Sequence, residues 1–311
     1  MRLNLLLSLV CILFLLGCTT RETKNNQLNN KPGNAGLIIE CLNDPHDKTV
    51  LVAAHRGDWR NFPENSLEGI ESAVKMGVDI VEIDMAMTSD SILVLMHDRT
   101  VDRTTTGKGM VNTFTLDSLK GLFLRNGCGV TTTYRIPSLE EVLLLCKDCV
   151  VINIDKGYQF YNDVDKLLQE TGTTRQILIK GSYPAETVLN DFSKHPGEKM
   201  MYMPIIDFRK RDAPQLFEDY MKTMPAMSYE IVWDTWTPEV EQCMQSILRN
   251  NAKIWTNSMW GALCGGDLYD DLALVDPEKI YGEHIARGAT IIQTDRPETL
   301  IKYLQGKGLH R

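Results

Sequence analysis

Short apolar runs and amphipathic segments alternate along most of the chain, and their order predicts its architecture. Apolar runs with the length of buried strands lie at residues 50–54, 78–84, 150–155, 176–180, 201–206, 229–233, 253–257 and 289–294. Segments of helical character lie between them, at residues 66–76, 138–146, 161–170, 185–194, 214–221, 238–250 and 277–288. Eight strands separated by helices predict an α/β fold, a closed (β/α)₈ barrel of the TIM type.

One further apolar run, residues 92–97, follows the strand at 78–84 too closely for a parallel return. About seven residues separate the two runs, so they are predicted to form an antiparallel hairpin that turns near Asp90. The hairpin brings His97 level with Asp84, and strand alternation places Glu82 on the same face as Asp84. Glu-x-Asp alone is more often a solvated edge, and a His-Asp pair alone is usually structural. Their conjunction predicts a functional site.

Polar side chains mark the C-terminal ends of the predicted strands, where enzymes of this fold place their active sites. They are His55, Glu82, Asp84, His97, Asp155 and Lys180. The three carboxylates form an oxygen-only ligand set, which suits Ca²⁺ or Mg²⁺ better than Zn²⁺. On strand alternation Lys180 points inward with Leu178, whereas Lys156 points outward.

The first residues have the pattern of an export signal. Arg2 is followed by an apolar run that ends in Leu15-Leu16-Gly17-Cys18, which resembles the bacterial lipobox. The resemblance implies a lipoprotein signal peptide at residues 1–17 and lipid attachment at Cys18. Residues 18–45 are then predicted to form the lipidated N-terminus and a flexible tether. The protein is accordingly expected to be exported and anchored in the bacterial envelope, at the periplasmic face of the outer membrane.

The rest of the chain, residues 46–311, has the length of one large α/β domain, with a Thr- and Gly-rich insertion at about 99–135. The formal net charge of the whole chain is −8, from 33 basic and 41 acidic residues. A nucleic-acid surface requires a basic face, so no nucleic-acid partner is expected.

Several motifs together resemble the glycerophosphodiester phosphodiesterase family. They are His55-Arg56-Gly57, Pro63-Glu64-Asn65-Ser66, Glu82-x-Asp84, His97-Asp98, Arg103-Thr104-Thr105, the run Ile136-Pro137-Ser138-Leu139-Glu140-Glu141, Trp255-Thr256-Asn257 and Thr294-Asp295-Arg296-Pro297. The resemblance spans about residues 50–304 and implies a (β/α)₈ barrel with a small insertion after the hairpin. It also implies metal-dependent hydrolysis of a small-molecule glycerophosphodiester to glycerol 3-phosphate and an alcohol.

The resemblance also implies roles for individual residues. Glu82, Asp84 and Asp155 would bind the metal, His55 and His97 would form the acid–base pair, and Arg56 would bind the substrate phosphate. Trp255 and Asn257 are expected to line the pocket.

The family departs from this sequence at two positions. It has Glu where Asp155 stands, and its lysine falls two residues later, where Gly157 stands. Lys180, from the next strand, is therefore expected to bind the phosphate in place of that lysine.

Two alternatives remain open beside this function. A phospholipase-type diesterase would act on intact phospholipid or a polymeric phosphodiester, and would need an exposed apolar lip in the insertion, from Phe114, Leu122, Phe123 and Leu124. A phosphoglycerol-binding lipoprotein without turnover would need neither histidine. The sequence leaves open direct attack by water or prior formation of a cyclic phosphate.

Overall fold

The computed structural model describes residues 34–195 and 197–311, and its centre is a closed β-barrel. Nine strands follow one another in the chain: β1 (Leu51–His55), β2 (Ile80–Met87), β3 (Leu93–Leu95), β4 (Val151–Asp155), β5 (Ile177–Gly181), β6 (Met201–Asp207), β7 (Ser228–Val232), β8 (Lys253–Asn257) and β9 (Ile291–Thr294). All except β3 are parallel neighbours, and β1 pairs with both β2 and β9, which closes the barrel. The predicted (β/α)₈ barrel is confirmed.

Helices surround the barrel. They are α1 (Asn34–Asn43), α2 (Leu67–Met76), α3 (Leu116–Lys120), α4 (Leu139–Cys146), α5 (Tyr161–Thr171), α6 (Ala185–Ser193), α7 (Ala213–Thr223), α8 (Pro238–Arg249), α9 (Asp270–Ala273), α10 (Glu283–Ala286) and α11 (Pro297–Gly306). The Ser66 side chain caps α2 by accepting from Gly69 N, and Gly77 ends the helix at φ 98°. Among the residues that the structure describes, no helix is long and apolar enough to cross a bilayer.

Strand alternation divides the core as the sequence predicts. Val81, Ile83, Ile152, Ile154, Ile177 and Ile179 pack in the layer between barrel and helices. Ile80, Val151 and Leu178 point into the barrel and form a separate interior cluster near the N-terminal ends of the strands. The polar side chains of the site therefore lie above an apolar interior, at the C-terminal ends.

Helix α1 closes the base of the barrel, and it corrects the predicted extent of the tether. Ile38, Cys41 and Leu42 are buried against the interior cluster. Their i, i+3, i+4 spacing gives a short apolar stripe, which the asparagine-rich segment before it obscures in the sequence. Residues 34–43 are thus part of the folded domain. The predicted signal peptide, Cys18 and the first part of the tether lie outside the described residues.

The C-terminus meets the same base. Val50 N, just before β1, donates to Leu309 O at 2.8 Å, and His310 Nε2 lies 3.0 Å from Asp79 Oδ2 at the start of β2. Both ends of the described chain are therefore held at the N-terminal ends of the strands.

The insertion follows the hairpin of β2 and β3 and has a core of its own. Its buried members are Val94, Met96, Val101, Val111, Leu119, Leu124 and Ile136. Phe114 and Leu122 pack partly buried against this cluster, and the Arg135 guanidinium lies 3.5 Å from the centroid of the Phe123 ring. Of the four apolar residues that an exposed lip would require, Leu124 is buried and Phe114, Leu122 and Phe123 are partly buried.

Candidate active site

His55 is the last residue of β1, and Asp295 follows β9, the strand beside it. His55 Nδ1 lies 2.7 Å from Asp295 Oδ1, and both side chains are buried. Nδ1–H donation to the carboxylate fixes the tautomer that leaves Nε2 free to exchange a proton. Burial lowers the pKa of His55, but the Asp295 hydrogen bond and the negative charge of Glu82 outweigh burial and raise this pKa.

The second histidine reaches the site through the predicted hairpin. Met96 N donates to Asp84 O at 3.0 Å, which places His97 at the C-terminal end of β2. His97 Nδ1 lies 2.6 Å from Asp98 Oδ1, and Arg103 Nε donates to Asp98 Oδ2 at 2.7 Å. The Arg103 hydrogen bond holds the pKa of Asp98 far below its usual range, so Asp98 remains an anion and orients the imidazole.

Glu82, Asp84 and Asp155 converge beside the histidines. Glu82 and Asp84 point inward from β2, Asp155 ends the adjacent strand β4, and one oxygen of each lies within 4.8 Å of the others. Glu82 is 2% exposed, and its burial followed by the nearby charge of Asp84 raises its pKa to about 7. Three carboxylates held this close together in a buried site repel one another, so the cluster favours a bound positive charge. Its oxygen-only ligand set suits a hard divalent cation.

Arg56 and Asn65 support Asp84 from the loop after β1. Arg56 Nε lies 3.2 Å from Asp84 Oδ2, and Asn65 Nδ2 donates to the same oxygen at 2.9 Å. Burial alone would raise the pKa of Asp84, but Arg56 and then Lys156 outweigh it and lower this pKa. Both Arg56 and Asn65 have positive φ, 55° and 56°, a conformation that sequence alternation cannot anticipate. Arg56 therefore lies beside Asp84 at the site, and its predicted contact with a substrate phosphate stays a prediction.

The predicted outward orientation of Lys156 is wrong. Its Nζ lies 3.2 Å from Asp84 Oδ1 and donates to His97 O at 2.8 Å, inside the site. Alternation ends with β4 at Asp155, and a left-handed backbone at Lys156, with φ 59°, turns the side chain back over the strand end. At Gly157 any side chain would overlap that of Ile154, so the local path leaves no space for a lysine there.

Lys180 points inward, as predicted, but a carboxylate already holds it. Its Nζ lies 3.2 Å from Glu230 Oε2 and 5.5 Å from the centroid of the Trp255 ring. Burial lowers the pKa of Lys180, yet Glu230, Asp155 and Glu82 outweigh burial and raise it. Lys180 therefore remains charged beneath the metal-type cluster, and its contact with a substrate phosphate stays a prediction.

Trp255 and Asn257 form the floor of the site rather than an open wall. Their side chains are buried, and Trp255 Nε1 donates to Asn257 Oδ1 at 3.1 Å. Asn257 Nδ2 in turn donates to Glu230 Oε1 at 2.8 Å. The expectation that both line the pocket stays a prediction; in the structure Trp255 lies beside Lys180 and Asn257 contacts Glu230.

Several site residues had no predicted role. They are Glu64, Asn65, Asp98, Lys156, Glu230 and Asp295. Asp98 directly follows His97, and Asp295 directly follows the last predicted strand, so the position of each at a strand end was a usable signal. Glu230 had no such signal, because only the inward direction of a central β7 residue reveals a buried glutamate opposite Lys180.

The fold and site define an enzyme, a phosphoric diester hydrolase on a (β/α)₈ barrel. Residues 55–177 match the model of the Glycerophosphoryl diester phosphodiesterase family, and residues 202–304 match a Domain of unknown function. A glycerophosphodiester phosphodiesterase of Caldanaerobacter subterraneus subsp. tengcongensis is 42% identical over 272 residues, which cover 83% of this chain and 99% of that protein. The chain belongs to the glycerophosphodiester phosphodiesterase family.

Other relatives agree with this assignment. A glycerophosphodiester phosphodiesterase of Bacillus subtilis is 32% identical over 157 residues, 47% of this chain and 53% of that protein. The crystal structure of a glycerophosphoryl diester phosphodiesterase from Parabacteroides distasonis has a TM-score of 0.73 at 23% identity, and covers 89% of this chain and 93% of that one. At that identity the structural likeness supports the fold alone.

Proposed function

We propose that the chain hydrolyses glycerophosphodiesters to glycerol 3-phosphate and an alcohol, with a divalent cation, Ca²⁺ or Mg²⁺, held by Glu82, Asp84 and Asp155. His55 and His97 are the acid–base pair. One observation carries the proposal: three carboxylates converge within 4.8 Å beside two histidines that are each oriented by an aspartate. Binding alone would need neither histidine, so this arrangement favours turnover over a phosphoglycerol-binding protein.

The side chains divide the chemistry between them. One imidazole removes the proton of the attacking oxygen as that oxygen bonds to phosphorus, and the other protonates the alcohol oxygen as its bond to phosphorus breaks. The Arg56 guanidinium donates hydrogen bonds to the phosphate oxygens. The cation, when bound, neutralises the charge of those oxygens. Water or the 2-hydroxyl of the glycerol can supply the attacking oxygen in this arrangement.

The small soluble diester is favoured over intact phospholipid as substrate. Phe114, Leu122 and Leu124 contribute to the insertion's own core, and Phe123 is covered by Arg135. These four side chains therefore have less apolar surface to insert into a bilayer than an exposed lip would have.

Turnover of glycerophosphocholine and glycerophosphoethanolamine by the purified domain tests the proposal. We expect EDTA to abolish release of glycerol 3-phosphate and Ca²⁺ or Mg²⁺ to restore it. His55→Ala and His97→Ala should each lower kcat by about 10²- to 10⁴-fold. His195→Ala is the matched control, because His195 pairs with Asp165 at 2.8 Å on the helix surface, away from the site. Full activity after chelation would refute the metal role, and near-normal kcat in either site variant would refute that histidine's role.

We also propose lipid attachment at Cys18 and residence in the bacterial envelope, at the periplasmic face of the outer membrane. The support is the sequence Leu15-Leu16-Gly17-Cys18 after an apolar run. Labelled palmitate should enter the wild-type protein but not Cys18→Ser, and fractionation should find only the wild type in the outer membrane. Equal labelling of both proteins would refute the anchor.

A further inference from the structure

A small cavity lies between the insertion and the loop after β1. Its volume is about 170 Å³, and its walls include Trp59 and Glu64 from the loop and Arg103, Arg125, Asn126 and Gly127 from the insertion. No residue proposed to bind the metal or transfer a proton lines it. The cavity, here called the loop pocket, is therefore distinct from the catalytic cluster.

The loop pocket nevertheless adjoins both histidines through single side chains. Trp59 Nε1 donates at 2.7 Å to Asp295 Oδ1, the oxygen that also contacts His55. On the other side, Arg103 donates to Asp98, the partner of the second histidine. The loop pocket is therefore joined to each histidine through the aspartate that orients it.

One positive charge in the loop pocket has no partner within the part of the chain that the structure describes. The Glu64 carboxylate accepts from Arg56 at 3.1 Å and from Arg103 at 2.7 and 2.8 Å, so its charge is neutralised. Arg125 is half-buried, and its guanidinium makes no hydrogen bond or ion pair with any residue in the described ranges. Its backbone is fixed, since Arg125 N donates to Thr104 O at 2.7 Å. The pocket thus presents a free guanidinium on an anchored backbone.

A cationic head group finds no matching surface there. The Arg60 guanidinium already lies over the Trp59 ring, 4.4 Å from the ring centroid. Gly127 lies against the same ring, because a Cβ on Gly127 would be only 3.1 Å from Trp59 Cζ3. A quaternary ammonium would have to displace these contacts to use the aromatic face, and Arg125 would repel it.

We propose that the loop pocket binds the alcohol half of the diester and favours an anionic head group, a carboxylate or a second phosphate, over a cationic one. Arg125 donates charged hydrogen bonds to the anion, while Trp59 and Gly127 limit its size. The inference rests on the proposed phosphodiesterase function and adds the charge class of the substrate.

The test compares kcat/KM for three glycerol phosphodiesters, those of 3-hydroxypropionate, ethanolamine and glycerol, which are anionic, cationic and neutral in the head group. The wild type should prefer the anion. Arg125→Gln should lower the ratio of anionic to cationic kcat/KM about tenfold, the usual worth of one charged hydrogen bond, with the neutral substrate little changed. Arg125→Lys should keep the preference, and Arg125→Glu should reverse it.

Arg99→Gln is the control, because Arg99 is an exposed arginine of the same insertion that does not line the pocket. The ratio of anionic to cationic kcat/KM in Arg99→Gln should equal that of the wild type. If the Arg125 variants turn over all three substrates normally and keep the wild-type ratio of anionic to cationic kcat/KM, the loop-pocket proposal is refuted and the proposed function is not. Absence of turnover in the metal-loaded wild type would instead overturn the proposed function.

Discussion

Glu82 should make cation binding strongly dependent on pH. It is buried, and its pKa is raised to about 7, first by burial and then by the charge of Asp84. A carboxylic acid must lose its proton to ligate a metal, so below pH 7 the cation has to displace one proton. The pKa of Asp84 is lowered, so this second ligand adds no proton between pH 5 and 8. The dissociation constant should therefore rise as the pH falls.

The size of the effect follows from the pKa of Glu82. Each pH unit well below about 7 weakens binding about tenfold, which is about 1.4 kcal/mol. Between pH 7.5 and pH 5.5 the Kd should rise about tenfold or more, and at pH 6 binding should release most of one proton. At pH 8 the release should be close to zero.

Titration calorimetry of Ca²⁺ binding in two buffers of different ionisation enthalpy measures both quantities. Asp207→Asn is the control: Asp207 ends β6 and is paired with Arg209 at 2.8 Å, and it is outside the three-carboxylate cluster. It should keep the wild-type pH dependence. A Kd that is constant from pH 5.5 to 7.5, with no proton released at pH 6, would show that Glu82 is already ionised and would refute the reasoning.

Three further predictions concern residues that the sequence misjudged or passed over. Lys156→Met should lower kcat/KM about 10- to 100-fold with little change in Tm, because Asp84 keeps Arg56 and Asn65 as partners. Lys180→Met should lower Tm, because it leaves the buried Glu230 carboxylate without its ion pair, and should also raise KM, as expected of a residue that binds the phosphate. An unchanged Tm for Lys180→Met, or a large loss of Tm for Lys156→Met, would contradict this. Asp295→Asn should reduce kcat more than KM and shift the acid limb of the pH–rate profile, and an unchanged profile would show that Asp295 does not orient its histidine. Leu42→Ala should cost about 2–5 kcal/mol of unfolding free energy in urea, against less than about 0.5 for the exposed Leu37→Ala, and equal costs would mean that α1 adds nothing to the core.

Periodicity was sufficient to predict most of the fold and the direction of the strand residues. Glu82 and Asp84 point inward, and Val81 and Ile83 point outward. Each strand of the barrel is buried on both sides, so the alternation of side chains along it is fixed. The hairpin was predictable from length, since the linker before Ile92 is too short for a parallel crossover.

Strand alternation gave the wrong side-chain direction just beyond the end of a strand. Lys156 is one residue beyond β4, and its positive φ reverses the expected direction of its side chain. Backbone conformation at such a position depends on the contact it makes, here with Asp84, and no local pattern encodes that contact. Helix α1 was missed for a different reason: its stripe of three apolar residues is too short to stand out, and only the open base of the barrel gives them a place to pack.

Both ends of the described chain, Asn34 and the C-terminus, lie at the base of the barrel, and this has a practical consequence for handling the enzyme. Helix α1 enters there, and Leu309 is bonded to Val50 at the same end. The substrate opening is at the other end of every strand, a barrel length away. A fusion partner, an affinity tag or a solid support attached just before Asn34 or after Arg311 will therefore leave the opening unobstructed, and an array of immobilised molecules will present their active sites outward.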